Sequence, residues 1–84
     1  MRVEKVVKIT GDREPSEKYP SYGWAFDFED EEGNKYEWNT KSFPDPSIIA
    51  GQIWLVRMTL KTKHDVIGYK YTRVERVKFI KQIN

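Results

Sequence analysis

Apolar side chains recur at every second position along most of this chain, the spacing of β-strands with one covered face. Val3, Val7 and Ile9 share one parity and Val6 takes the other, which predicts a first strand over residues 2–10. Residues 11–21 are polar and include Pro15 and Pro20, so they read as a loop. Tyr22, Trp24, Phe26 and Phe28 then place four aromatics on one face of a second strand. The acidic run 29–32, followed by Gly33 and Asn34, predicts a turn, because both of those residues accept positive φ. A return strand over residues 35–40 carries Tyr36, Trp38 and Thr40 on one side.

Pro44 and Pro46 break the pattern in residues 41–52. Within that stretch Ser47 can cap one helical turn through Ile48, Ile49 and Ala50, ended by Gly51. Alternation resumes over residues 53–63. Trp54, Val56, Met58 and Leu60 point one way, and Arg57, Thr59, Lys61 and Lys63 the other, with Ile53 and Leu55 at the start of that second row. Residues 64–68 read as a turn and 69–80 as a last strand. Its parity changes between Val74 and the pair Val77 and Phe79, which predicts a β-bulge at residues 75–77. Five strands without a useful helix suit an all-β fold, a small closed barrel, since closure removes the edges a short all-β chain would leave open. An OB-like barrel is the first expectation and an SH3-like barrel the alternative, with residues 1–84 as one domain.

Eighty-four residues bury only about 60% of their unfolded surface, so the core is thin. No cysteine is available for a disulfide or a thiolate metal site. No apolar run approaches the ~18 residues of a spanning helix, and the charged, alternating start is unlike a signal peptide, so a cytoplasmic setting is expected. Twelve aromatics supply much of the apolar material. Such rings either fill a small barrel or stand exposed as stacking platforms.

Charge changes the picture most. Residues 51–84 hold eight basic and two acidic side chains, whereas residues 1–50 hold seven basic and eleven acidic ones, so a near-neutral total conceals a cationic end. A cationic sheet surface attracts polyanions. Single strands need lysines and arginines for their phosphates and free rings for their bases. Arg57, Lys61 and Lys63 are candidates on one strand face, with Lys41, Lys70, Arg73 and Arg76 adding to a groove. Trp24, Tyr36, Trp38, Tyr69 and Tyr71 are the candidate platforms, while Phe26, Phe28 and Trp54 are assigned to the core. For Tyr36 and Trp38 the pattern leaves core and platform open. The basic residues also fit solvated outer faces, where lysines block edge-to-edge association. The row Arg57, Thr59, Lys61, Lys63 contains no acid, whereas a merely soluble surface mixes its signs.

Several of these words resemble a known family. An acidic-Gly-Asn turn, Asp30-Glu-Glu-Gly33-Asn34, runs into Trp38-Asn-Thr40. Gly51 opens a strand that ends in Thr59-Leu-Lys61-Thr-Lys63-His64, and the last strand carries Gly68, Lys70, Thr72, Val74 and Arg76 at alternate positions. From Trp24 to Lys78 this resembles the small OB-fold nucleic-acid-binding proteins and OB-like segments of phage, prophage and plasmid replication and recombination proteins. The resemblance implies a non-enzymatic module that binds single-stranded nucleic acid, DNA ahead of RNA. The link between the third and fourth strands is too short for the full helix many OB-folds carry there.

Catalysis has little to build on. His64 is the only histidine, placed in the expected turn, and Ser16, Ser21, Ser42 and Ser47 all fall in loops. There is no phosphate-cradling glycine loop, no zinc-type cluster and no EF-hand spacing in the acidic run, which reads as a solvated turn. No enzyme activity, cofactor or metal is expected. The alternative function is a protein–protein accessory module of a phage or mobile-element assembly, with aromatics and the loop residues Ile48 and Ile49 as interface anchors and a homo-oligomer as one form.

Overall fold

The computed structural model describes residues 1–14, 17–18, 23–41 and 47–84, with the backbone alone at residue 66. Tyr22 of the expected aromatic row, the four prolines and Ser16, Ser21 and Ser42 lie outside the described residues. Five strands form: β1 (Arg2–Arg13), β2 (Trp24–Asp30), β3 (Lys35–Thr40), β4 (Ile53–Val66) and β5 (Tyr69–Gln82). They close into a barrel in the order β1-β2-β3-β5-β4. Every neighbouring pair is antiparallel except β3 and β5, which run parallel. The expected all-β, OB-like barrel is therefore the observed architecture.

β1 belongs to both sides of the closure. Its residues Arg2–Lys8 pair with β4 and Val7–Arg13 with β2, and the register slips between Ile9 and Gly11. That bulge bends the strand and carries it to Arg13, beyond the expected end at residue 10. Val7 and Ile9 are fully buried and Val3 packs beside them, as their shared parity required.

The interior is aromatic. Phe26 stacks on Trp38 with ring centroids 5.4 Å apart, and Phe79 meets Phe28, Trp38 and Trp54 at 6.0, 5.9 and 5.4 Å. Tyr36 and Trp38 are 5% and 8% exposed, so they are core residues and not stacking platforms. The cause is register. Phe26 lies opposite Trp38 and Phe28 opposite Tyr36, and opposite residues of an antiparallel pair share a face. Once two phenylalanines turn inward, their partners follow.

No helical turn forms at residues 47–51. Instead Ile48 is buried in the core, and the following backbone is held by Gly51 N–H to Ile9 O (2.8 Å) and Ile9 N–H to Gln52 O (2.9 Å). Ile48 is thereby removed from any interface patch, while Ile49 stays exposed. β5 carries the expected bulge, with Arg76 at φ 53° and a register slip opposite Arg57 and Thr59. A further slip between Leu60 and Thr62 leaves Lys61 without a facing residue.

Candidate functional site: the β4–β5 arm

β4 runs to Val66, so the expected turn at residues 64–68 shrinks to Ile67 and Gly68. β1 reaches only Thr59 of β4, and β3 reaches only Thr72 of β5. The hairpin beyond those points is an arm that projects past the closed part of the barrel. Its register pairs Lys63 with Thr72, His64 with Tyr71 and Asp65 with Lys70. The slip at Lys61 reverses side-chain parity beyond it. Lys63 therefore leaves the row of Arg57 and Thr59 and joins the face of Thr72 and Lys70.

The opposite face of the arm is a ladder of rings. His64 stacks on Tyr71 at 4.8 Å and 12°, and Tyr71 meets Tyr69 at 5.6 Å. Tyr69 is 45% exposed, and the Lys35 ammonium lies 5.8 Å from its ring centre. His64 is thus a packed strand residue and not an exposed turn residue. Its Nε2 is buried and has no hydrogen-bond partner among the described residues. Between the arm and the β2–β3 turn opens a notch of about 530 Å³, lined among others by Asn34, Lys35, Lys63, Lys70 and Tyr71. Lys63 and Lys70 have no acidic side chain within salt-bridge distance among the described residues, and Lys35 has only Glu29, at 3.9 Å.

The other predicted cations do not converge there. Arg57 pairs with Glu4 across the β1–β4 ladder at 3.0 Å, Lys61 with Glu75 at 3.4 Å and Arg73 with Glu37 at 3.3 Å. The acid-free row on β4 is therefore neutralised by its neighbours. Trp24 and Lys41 lie at the far end of the β2–β3 hairpin from the arm, Trp24 opposite Thr40. Arg76 is exposed at its bulge. Of the twelve predicted residues, Lys63, Lys70 and Tyr71 share the notch, which Lys35, His64 and Asp65 help to line; Tyr69 stands outside that lining, next to Tyr71.

The β2–β3 outer face, where OB modules commonly take up oligonucleotides, is carboxylate-rich. Asp27 lies opposite Glu37. Arg13 reaches both, at 3.0 and 3.7 Å, and Arg73 holds the other oxygen of Glu37. Burial pushes the Asp27 carboxyl above its ordinary value, Arg13 opposes this, and the charge of Glu37 adds to it.

The acidic turn beneath the notch is not simply solvated. Asp30 is buried and accepts four hydrogen bonds: from the N–H groups of Glu32 (3.0 Å) and Asn34 (2.9 Å), from Asn34 Nδ2 (3.0 Å) and from Tyr36 Oη (2.9 Å). Lys5 stands 3.6 Å away. Burial works against the charge on Asp30, but the four donors outweigh it and hold the carboxyl below its ordinary 3.8. Burial, then the bond to Asp30 and its charge, lift the Tyr36 hydroxyl well above the normal phenol range. A carboxyl that is depressed on folding stabilises above its unfolded pKa, and that stability is lost as pH falls through the folded value. Asp30→Asn is expected to be less stable than the parent near neutrality, with the gap closing as pH drops from about 4 towards 2. Asp27, shifted the other way, works against this trend in both proteins and cancels from the difference. Urea titrations of both proteins across that range measure the gap.

Among the described residues no cluster of His, Cys, Asp or Glu could hold a metal ion, and no helix is long and apolar enough to cross a membrane. No protein-family model matches the chain, and no curated protein or solved structure matches it. The phage- and plasmid-type resemblance rests on its motifs alone.

Proposed function

We propose that this chain is a non-enzymatic OB-like module that binds single-stranded nucleic acid in the cytoplasm, and that it does so through the β4–β5 arm. One observation carries the reading: Lys63 and Lys70 line a notch with Tyr71 and form no ion pair among the described residues, although Asp65 faces Lys70 there, and a ladder of rings whose outer member, Tyr69, is open to solvent runs down the other face of the same arm. Lysines of this kind neutralise phosphates, and the rings stack on bases without choosing among them. The paired arginines and carboxylates of the β2–β3 face make that surface the poorer candidate. A role in replication or recombination accords with such binding.

Fluorescence anisotropy of labelled oligo-dT provides the test. Saturable binding is expected at about 50 mM salt, and log K should fall with log salt at a slope near −2, about −0.7 for each of three lysines. Absence of binding at that ionic strength would end the proposal. The second reading, a protein-interaction module, is favoured by Ile80 near the end of β5 and Ile83 just beyond it, both exposed. Light scattering that finds a salt-insensitive oligomer would support it.

A further inference from the structure

The arm ends in a two-residue turn, Ile67 and Gly68, between the facing residues Val66 and Tyr69. Both turn residues have positive φ, 21° and 78°. Such tight hairpin turns favour Asn-Gly or Gly-Gly, because those residues reach positive φ with little strain. Gly68 satisfies the requirement. Ile67 is a β-branched residue where branching is least tolerated, and the residue is fully exposed to solvent at the tip. The position combines backbone strain with an apolar group in water, and burial in the barrel offsets neither. Backbone strain of this sort clusters at functional sites.

What surrounds the tip indicates what that is. Lys63 and Lys70 flank the arm behind it, and the rings of Tyr69, Tyr71 and His64 follow one another down one face. Proteins that bind the minor groove of a duplex insert apolar side chains, isoleucine among them, as wedges that separate neighbouring bases. We propose that Ile67 is such a wedge: it enters between successive bases of the strand held by the arm and breaks their stacking, and an opened base then stacks on the exposed ring of Tyr69. The inference rests on the nucleic-acid reading above. A lipid bilayer is the poorer occupant, since even a whole myristoyl chain gives only marginal membrane attachment and a single isoleucine buries far less.

The experiment uses the full chain and an oligo-dA carrying one 2-aminopurine, whose fluorescence rises when it unstacks, with oligo-dT as the weakly stacked control. The parent protein is expected to raise the signal on binding oligo-dA. Ile67→Asn suits the turn and should keep the arm folded, which its melting temperature checks. This variant is expected to bind oligo-dT within about threefold of the parent, to bind oligo-dA about tenfold more weakly, and to lose the fluorescence rise. A rise that survives Ile67→Asn overturns the wedge. Binding by the parent with no rise also overturns it, while leaving the arm as a binding site. Failure of the parent to bind either strand at about 50 mM salt overturns both readings. Binding to phosphatidylserine vesicles that disappears in Ile67→Asn, with no oligonucleotide binding, would assign the tip to lipid and overturn them as well.

Discussion

Gly23→Ala is expected to lower the melting temperature by well over 10 °C. Gly23 has φ 65° where β2 begins, and a Cβ built there would lie 2.4 Å from the Thr40 carbonyl oxygen and 3.0 Å from the Lys41 Cα. Neither obstacle is a flexible side-chain end. To admit a methyl group the start of β2 must leave β3, which breaks the facing pair Trp24 and Thr40. Left-handed strain and the lost ladder together cost about 3 kcal/mol. At 4–8 °C per kcal/mol for a chain of roughly this size, the fall is about 12–24 °C. Gly33 provides the control, with φ 86° and nothing within 4 Å of its missing Cβ, so Gly33→Ala bears the conformational cost alone, about 1 kcal/mol. Thermal melts of the two variants decide the matter. Equal losses would mean that close approach at Gly23 does not matter.

The second large effect concerns binding. Replacing Lys63 and Lys70 together with glutamate is expected to weaken oligo-dT binding at about 50 mM salt by a hundredfold or more, because two phosphate contacts become two repulsions. Both lysines are exposed and form no ion pair among the described residues, and the one new like-charge pair, a glutamate at position 70 facing Asp65, costs about 1 kcal/mol at most, so the fold should survive, as circular dichroism would confirm. Arg57→Ala with Lys61→Ala removes as many cations from β4, but these already face Glu4 and Glu75. That pair should change binding by less than about threefold, the scale of a screened surface charge. If the Arg57 and Lys61 variant loses as much affinity as the arm variant, the ligand lies along the Arg57–Lys61 row of β4 and the arm assignment fails.

The sequence displayed the barrel more fully than the candidate site. Alternation located all five strands, because each has one face against the core, and the parity change after Val74 located the bulge that places Arg76 at positive φ. The fate of Tyr36 and Trp38 was also legible in principle. Counting back across the 31–34 turn sets Trp38 opposite Phe26, and a residue facing a buried phenylalanine is itself buried. What the linear order hides is pairing between distant strands. Glu4 stands 53 positions from Arg57, and Glu37 stands 36 from Arg73, so a stretch that looks purely cationic becomes a set of ion pairs once the ladders form. A single unpaired residue at Lys61 was equally invisible, yet it moves Lys63 to the other face of the hairpin. Lys35 joins the notch only because β3 and β5 run parallel, which brings position 35 alongside 71.

That parallel ladder has a consequence for how the molecule holds shut. It consists of three facing pairs, from Tyr36 with Thr72 to Trp38 with Val74, whereas β4 and β5 share eleven. The barrel is thus a cylinder with one short seam. The notch lies at the mouth of that seam, with Lys35 on one lip and Tyr71 on the other. A molecule that gripped both lips at once would hold to the shut form better than to a parted one, so its occupancy would favour closure by mass action.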